Sequence, residues 1–293
     1  MSKICIVIPV YKIFQKLTVD EKISWRQYLN ILSNYHVSII CSVKLDISTY
    51  VEDLITSNVS YRILIFPAKY FVDIDGYNKL MLSKAFYKPF KSYSYILLYQ
   101  LDAFIFRDEL DYWTSLNYSY IGAPWFEDYH PETNEPKLWK VGNGGFTLRK
   151  VSDFLKVLNT SALIDSWQLI LKIYTTPGRK FFVKNIHKLF KRLLLGNNTF
   201  WLFNDYHIHR IYHQEDYFWG VFCSEKFDWF KVPTPELALG FSFEVMPRKM
   251  YELNDSKLPM GCHAWEKYDV RFWKPFIEQY GYEVVIKNKH ARN

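Results

Sequence analysis

Four widely separated stretches of the chain carry residue types that could do chemistry. Asp102 closes an apolar run, and the residues after it stay apolar, so a ligand site explains this carboxylate better than a helix cap does. Gly142–Gly145 is a glycine cluster, and glycine lets a backbone approach a ligand closely. Glu215 and Asp216 are neighbouring acids, and His263 lies among small and apolar residues near the end. Carboxylates and imidazoles are the groups that move protons and bind cations.

Each of these signals also has a purely structural interpretation. The glycine cluster fits a hairpin turn as well as a ligand loop. Glu215 and Asp216 fit the first turn of a helix, where acids interact favourably with the helix dipole, and His263 fits a hydrogen-bonded core histidine. Three histidines occur close together at His207, His209 and His213. On a helix His209 and His213 would share a face, but no third ligand has the usual spacing, so we do not expect a zinc site there.

The elements that must position these residues alternate between strand and helix in the first half. Strands covered on both faces read as continuous apolar runs, whereas helices show a 3.6-residue period. A strand–helix alternation predicts a mostly parallel sheet flanked by helices, with ligands at the carboxyl ends of its strands. The predicted strands are Ile4–Val10, Val37–Val43, Tyr61–Phe66 and Tyr95–Leu101, and the predicted helices are Asp20–Leu32, Thr49–Ile55 and Tyr77–Phe90.

Charge is concentrated in one segment of the 293 residues. The net charge is +7, and seven of the 37 basic residues lie between Leu171 and Arg192, where no acid occurs. The remaining 30 basic residues balance the 30 acidic ones. The excess therefore belongs to an insert at about 166–200, and a protein that binds nucleic acid along a basic groove is not expected.

The insert has the pattern of a basic amphipathic helix. From Phe182 to Leu194 the apolar residues recur at helical spacing, with Lys184, Lys188 and Lys191 on the other side. This pattern predicts binding to an anionic membrane surface through 180–195. A helix that faces the core and a dimer contact remain the alternatives, and the oligomeric state stays open.

The other composition features concern location and class. Aromatic residues make up 19% of the chain, which suits stacking on sugars or bases but also fits codon bias. The four cysteines have no paired spacing and read as small core residues of a reducing compartment. The first apolar run is too short for a signal peptide, so we expect a cytoplasmic protein, peripheral on the inner membrane.

The order of the four signals resembles that of GT-A-type glycosyltransferases, which carry an Asp-x-Asp motif, a glycine loop, an x-Glu-Asp motif and a late metal-binding histidine. The chain is more closely similar to a bacterial glycosyltransferase family long catalogued as a domain of unknown function. The resemblance covers nearly the whole chain and is weakest over residues 166–200. The motifs that carry the resemblance are GYNKLMLSKAFY (76–87), YQLDAFIF (99–106), IGAPW (121–125), VGNGGFTLRK (141–150) and GCHAW (261–265).

The resemblance implies a GT-A-like single domain over 1–293, with a nucleotide-sugar-binding half at 1–122 and an acceptor and catalytic half at 123–293. Asp102 and His263 would hold Mn²⁺ or Mg²⁺. Gln100 stands where the family has its first Asp, so metal-dependent and metal-independent transfer both stay open. Asp216, beside Glu215, would be the catalytic base of an inverting reaction, and a retaining outcome stays open if Asp216 only binds the acceptor.

The resemblance also implies two binding regions. The donor, a nucleotide-diphosphate sugar, would bind Pro9, Tyr11, Tyr77, Asn78, Gln100 and Asp102. The acceptor, a saccharide or glycolipid, would bind Trp125, Asn143, Gly144 and Gly145. Lys79 and Arg149 could neutralise phosphate or could be solvated surface charges.

The expected function is sugar transfer in the synthesis of bacterial surface polysaccharide, such as lipopolysaccharide or capsule. Two alternatives remain. One is a catalytically degenerate protein that binds sugar nucleotides, which Gln100 makes conceivable. The other is a basic module that binds nucleic acid or membrane, with the α/β layer as scaffold.

Overall fold

The computed structural model describes residues 3–127, 136–159 and 214–286. The predicted insert at 166–200, the amphipathic segment 180–195 and the histidines at 207, 209 and 213 lie outside these residues. Among the described residues, no helix combines the length and the apolar character that crossing a membrane requires.

A six-stranded sheet forms the centre of the fold, and its strand order is β3-β2-β1-β4-β9-β6. Its first four strands are parallel neighbours, and β9 is antiparallel to both β4 and β6. The predicted mostly parallel sheet is therefore confirmed, with strand bounds that differ by one or two residues from the predicted ones. These strands are β1 (Ile4–Pro9), β2 (His36–Ser42), β3 (Tyr61–Phe66), β4 (Tyr95–Tyr99), β6 (Tyr120–Ile121) and β9 (Phe146–Lys150).

Helices pack around this sheet. The first long helix is fixed by a capping box, in which Thr18 accepts from the Glu21 backbone N–H and the Glu21 side chain accepts from Thr18 N. The α-helices are α1 (Val19–Leu32), α2 (Ser48–Thr56), α3 (Ile74–Met81), α4 (Lys84–Tyr87), α5 (Leu110–Ser115), α6 (Val151–Asn159), and the later helices Glu215–Tyr217, Ser224–Lys226, Pro235–Ala238, Pro247–Leu253 and Val270–Glu278. A π-helix spans Phe218–Cys223, and short 3-10 helices span Phe14–Lys16, Ala68–Tyr70 and Lys88–Phe90.

The prediction of one helix over Tyr77–Phe90 is wrong. The helix starts earlier, at Ile74, because the Asp73 side chain caps it by accepting from Gly76 N at 2.7 Å. It ends at Met81, and Ser83 caps a new, short helix by accepting from Phe86 N. The early start places Tyr77 and Asn78 within the first two turns of α3, beside the cavity described below.

A small three-stranded sheet, in the order β10-β11-β5, was not predicted. Its strands are β5 (Phe104–Ile105), β10 (Ser242–Phe243) and β11 (Gly261–Cys262). β11 pairs in parallel with β10 and antiparallel with β5. The pairing aligns Phe243 with Cys262, so the residues that follow the two strands lie side by side.

The glycine cluster does not form a hairpin turn between the strands that flank it. β8 (Leu138–Gly142) pairs with β7 (Ala123–Phe126), whereas β9 pairs with β4 and β6. The chain therefore crosses from one sheet to the other between Gly142 and Phe146. Of the two interpretations left open by the sequence, the hairpin is excluded.

The core accounts for many of the aromatic residues. Five tryptophans are among the largest fully buried side chains, namely Trp25, Trp113, Trp219, Trp265 and Trp273. The four cysteines are also buried and free, as predicted for small core residues.

Candidate active site

A cavity of about 530 Å³ opens beyond the carboxyl ends of β1 and β4. This is the edge where parallel α/β sheets bind ligands. The cavity collects residues from seven separate parts of the chain. Its lining consists of Tyr11, Phe71, Val72, Asp73, Ile74, Tyr77, Asn78, Gln100, Gly144, Gly145, Gln214, Glu215, Asp216, Glu244 and His263.

A second cavity, of about 310 Å³, adjoins the first one. Tyr11 and Gln100 line both cavities, so the two form neighbouring compartments. Pro9 and Asp102 line the second compartment, together with Lys12, Leu17, Glu21, Leu101 and Glu266. All six residues predicted for the donor therefore line one compartment or the other.

The glycine loop connects the acidic and the histidine parts of the site. A Cβ atom on Gly144 would lie 2.6 Å from Glu215 Oε1, and one on Gly145 would lie 1.9 Å from His263 Nε2. Asn143 has a φ of 79° and accepts at its Oδ1 from Gly145 N at 2.8 Å. The loop backbone thus touches both side chains, and only glycine fits at position 145.

Arg149 and Glu215 form a buried ion pair behind the cavity. Arg149 Nη2 donates to Glu215 Oε1 at 2.8 Å, and the side chains are 0% and 2% exposed. Arg149 also donates to Tyr87 Oη and Thr147 Oγ1. Although burial disfavours its charge, Glu215 raises the pKa of Arg149 well above its ordinary value. Neither interpretation of Arg149, as phosphate ligand or surface charge, is correct, because β9 lies inside the sheet.

Asp216 lies beside this pair and faces the cavity. Burial, with Glu215 and Glu244 adding to it, raises the pKa of Asp216 to about 7. Tyr217 N donates to Asp216 Oδ1 at 2.8 Å and fixes the carboxyl at the start of the helix. A carboxyl group with a pKa near the working pH is suited to accept a proton.

Asp102, His263 and Glu244 form a line of three titratable groups. His263 Nδ1 lies 2.9 Å from Glu244 Oε1, and His263 Nε2 lies 3.2 Å from Asp102 Oδ1. The small sheet brings Glu244 and His263 together, because these residues directly follow the paired strands β10 and β11. Although burial opposes both shifts, the mutual attraction lowers the pKa of Asp102 and raises that of His263 well above its ordinary value.

The two facing atoms of this line, Asp102 Oδ1 and His263 Nε2, are buried. Within the described residues neither has a hydrogen-bond partner. Among the residues that the structure describes, no group of three or more His, Cys, Asp or Glu side chains is arranged to hold a metal ion. A cation at this point would therefore have these two protein ligands and take the rest from water or a bound phosphate, which is how Mg²⁺ commonly binds.

Trp125 lies away from the cavity. Its side chain is 8% exposed, and its ring lies against Gly142, where a Cβ would be 2.0 Å from Trp125 Cζ2. Lys79 does not line either compartment; it pairs with Asp75 on the outer side of α3. Both residues therefore stand apart from the group that the cavity brings together.

The family comparison matches the part of the chain that builds this site. The model of the family described as "Protein of unknown function (DUF5672)" matches residues 60–263, which is more than half of the chain. The chain belongs to this family. The region that matches DUF5672 contains Asp102, the glycine loop, Asp216 and His263, and only Pro9 and Tyr11 of the predicted site residues precede it. No curated protein matches the chain.

Solved structures similar to this DUF5672 member include three described as glycosyltransferases or synthases. GlyE of Streptococcus pneumoniae TIGR4 has 10% identity and a TM-score of 0.47, covering 94% of this chain and 60% of that one. Mouse xyloside xylosyltransferase 1 has 8% identity and a TM-score of 0.44, covering 89% and 97%. Core-mannan synthase A of Aspergillus fumigatus, in its Mn/GDP form, has 10% identity and a TM-score of 0.34. This match covers 44% of the present chain and 44% of the synthase, so the chain spans less than half of the synthase's length.

Sequence reasoning missed Glu244, which completes the line with His263. Glu244 directly follows the short strand β10, much as Asp102 follows β4, but the three residues before it, Phe-Ser-Phe, are too short and mixed to predict a strand. It also missed Asp73, whose position in the cavity depends on its role as the cap of α3. Gln214 and Phe71, which also line the cavity, carry no sequence signal of their own.

Proposed function

We propose that this protein is a glycosyltransferase that moves a sugar from a nucleotide-diphosphate sugar to an acceptor hydroxyl. The observation that carries the proposal is the position of Asp216. Its carboxyl group, with a pKa of about 7, lines the same cavity as His263 and the glycine loop, and Asp102 lies next to His263. A proton acceptor and a site for a charged leaving group thus lie in one concave space.

Asp216 acts as the base in this proposal. The acceptor oxygen forms a bond to the anomeric carbon while the bond from that carbon to the diphosphate oxygen breaks. The acceptor proton moves to Asp216, and the nucleoside diphosphate leaves with the electron pair. A base beside the attacking oxygen gives single displacement with inversion, and positioning plus proton removal can supply most of the rate enhancement.

Asp102 and His263 fit a divalent cation, Mn²⁺ or Mg²⁺. Their facing oxygen and nitrogen atoms are 3.2 Å apart, buried, and without hydrogen-bond partners among the described residues. Glu244 Oε1 lies 2.9 Å from His263 Nδ1, where a carboxylate would accept the Nδ1 proton, and a cation bound at Nε2 would displace the proton that the raised pKa of His263 places there. When bound, the cation would neutralise charge on the diphosphate. Gln100 adds an amide oxygen, which is a weaker ligand than the carboxylate it replaces.

The donor would occupy both compartments, which meet at Tyr11 and Gln100. Tyr11 is 41% exposed, and its ring lies 6.0 Å from that of Tyr77. We assign Pro9, Tyr77 and Asn78 to the same donor site, and Asn143, Gly144 and Gly145 to the boundary between donor sugar and acceptor. Glu215, held by Arg149, would position the loop and its neighbour Asp216. Trp125 drops out of the acceptor site because it lies behind Gly142.

We infer a role in bacterial surface polysaccharide synthesis with a saccharide or lipid-linked acceptor, in the cytoplasm and peripheral on the inner membrane. The basic amphipathic pattern at 180–195 supports the membrane part, because anionic lipids attract such helices. Flotation with anionic liposomes at low salt tests it. Protein that stays at the bottom of the gradient would contradict membrane binding without affecting the proposed chemistry.

Two measurements test the transferase function. A panel of nucleotide-diphosphate sugars with Mn²⁺ should contain at least one that raises the melting temperature, since a ligand stabilises the folded state to which it binds. Asp216→Asn should keep that shift and lose about 10²–10⁴-fold in transfer rate. Asp255→Asn is the matched control, because Asp255 is 89% exposed and its left-handed backbone suits Asn. No stabilising donor, or full activity in Asp216→Asn, would refute the proposal.

A further inference from the structure

Two aromatic rings are exposed next to the candidate base. Trp139 and Tyr217 are 39% and 37% exposed, whereas most aromatic side chains of the described residues are buried. Their ring centroids are 6.3 Å apart, and their planes meet at 39°. The two rings therefore form one continuous apolar surface with polar edges.

One end of β8 is exposed and the other is covered. Trp139 and Val141 are two residues apart and so lie on the same face of the strand, yet Trp139 is exposed and Val141 is covered. Val141 is covered because Gly220 of the π-helix approaches it, and a Cβ on Gly220 would lie 2.0 Å from Val141 O. The absence of a side chain at position 220 thus brings β8 and the Phe218–Cys223 π-helix into direct contact.

The position of Tyr217 is fixed relative to Asp216. The two are consecutive, and Tyr217 N donates to Asp216 Oδ1 at 2.8 Å. Trp139 reaches the same place from the other side, since β8 runs from Leu138 into the glycine loop at Gly142. The aromatic pair therefore adjoins Asp216 through the chain and lies outside the residues that line the two compartments.

The chemistry of this surface favours a sugar. Tryptophan and tyrosine present flat apolar faces with a polar edge, which match a pyranose ring whose C–H face is apolar and whose rim carries hydroxyls. A nucleotide base would also stack on such rings, but the nucleotide of the donor is assigned to the compartments beside Asp102, Tyr11 and Gln100. The group that must approach Asp216 is the acceptor.

We propose that Trp139 and Tyr217 form the acceptor subsite, on which a pyranose ring of a saccharide acceptor stacks. The inference rests on the proposed transferase function, which assigns the space beside Asp216 to the acceptor. Trp139 thus takes the acceptor-stacking role that the sequence predicted for Trp125.

Direct saccharide binding tests the subsite without any transfer reaction. Saturation-transfer NMR is recorded with methyl β-glucoside, methyl β-galactoside and methyl β-N-acetylglucosaminide as probes. Wild type should give signal from the C–H face of at least one sugar. Trp139→Ala should reduce its affinity about tenfold, the loss of one good aromatic stacking contact. Trp139→Phe should retain most of it.

Tyr112→Ala is the matched control, because Tyr112 is an aromatic residue 51% exposed on α5 whose ring contacts Trp113 and which is distant in the chain from Asp216. It should bind the probe sugars as wild type does. Equal binding by Trp139→Ala and wild type, or no sugar signal from wild type, would overturn the subsite.

Kinetic measurements distinguish failure of the acceptor subsite from failure of the transferase function. With an accepted donor, Trp139→Ala should raise the acceptor KM about tenfold and leave the donor KM unchanged. An unchanged acceptor KM refutes the subsite while transfer itself stands. Sugar binding that depends on Trp139 in a protein that consumes no nucleotide sugar would instead refute the transferase and retain the saccharide site.

Discussion

Glu244 Oε1 lies 2.9 Å from His263 Nδ1, which turns the other ring nitrogen of His263 toward Asp102 Oδ1 at 3.2 Å. The histidine is therefore oriented by one carboxylate and directed at another. This arrangement resembles the carboxylate–histidine pairs that orient metal ligands in proteins.

Glu244→Ala should weaken Mn²⁺ binding about 10–100-fold, because loss of the orienting carboxylate lets the imidazole ring rotate. Calorimetric titration of the donor-free protein with Mn²⁺ measures this affinity without any turnover. Glu252→Ala is the matched control, since Glu252 is an exposed glutamate that pairs with Lys249 at the surface. Equal Mn²⁺ affinity in wild type and Glu244→Ala would contradict the orienting role.

The transfer rate should rise with pH through about 7, because Asp216 must be ionised to accept a proton and its pKa is raised to about 7. Initial rates measured from about pH 5 to about pH 9 at saturating substrate should follow one ionisation and then level off. Asp255→Asn should retain this profile. A rate that is constant over the range would exclude Asp216 as the base.

The same raised pKa predicts that Asp216 reduces stability at neutral pH. A carboxyl whose folded pKa exceeds its unfolded value favours the folded state when protonated, and this contribution is lost as pH rises through about 7. Asp216→Asn should therefore melt higher than wild type at about pH 8, by roughly 2–4 °C for each kcal/mol gained. At about pH 4 the two proteins should melt together. Calorimetry at both pH values checks the sign, and a lower melting temperature at the higher pH would contradict it.

Arg149→Met should destabilise the protein by about 3–5 kcal/mol, because it leaves the Glu215 carboxylate buried without its partner. Urea denaturation measures the loss. Arg248→Met serves as the comparison, since Arg248 pairs with Asp269 at a 60% exposed position and such pairs contribute about 1 kcal/mol or less. Equal losses in the two variants would show that burial of the Arg149 pair has no energetic consequence.

Gly145→Ala should abolish transfer and weaken Mn²⁺ binding, because its Cβ would lie 1.9 Å from His263 Nε2 and must displace the ring. Gly240→Ala is the matched control, as its Cβ would lie 3.4 Å from Trp113 Cζ2, an ordinary contact. Activity and Mn²⁺ titration of both variants test the prediction. A fully active Gly145→Ala would mean that the loop and the histidine need not touch.

Local signals in the sequence were sufficient for the parallel strands and for the residues that follow them. Tyr11, Gln100 and Asp102, which line a cavity, could be placed at the ligand edge because apolar runs identify β1 and β4 and strand ends identify that edge. The residues that were missed or misread depend on partners that are distant in sequence. Glu244 comes next to His263 only when β10 pairs with β11. Arg149 is buried only because β9 has neighbouring strands on both sides.

The choice of tryptophan illustrates the same limit. Trp125 and Trp139 both precede the glycine loop in the sequence, and nothing local indicates which one is exposed. Pairing of β7 with β8 brings Gly142 against the Trp125 ring and leaves Trp139 on the outer surface. The decisive information is the register of two strands, which a single sequence does not specify.

The small sheet of β5, β10 and β11 sets when the chain becomes able to bind its ligands during synthesis. Its strands are two residues long, and β5 precedes β11 by more than 150 positions. Pairings that close such long loops form late in folding. A nascent chain released from the ribosome only as far as β10 would have the parallel strands and the glycine loop but no His263, so the site is completed only after residue 263 has been synthesised.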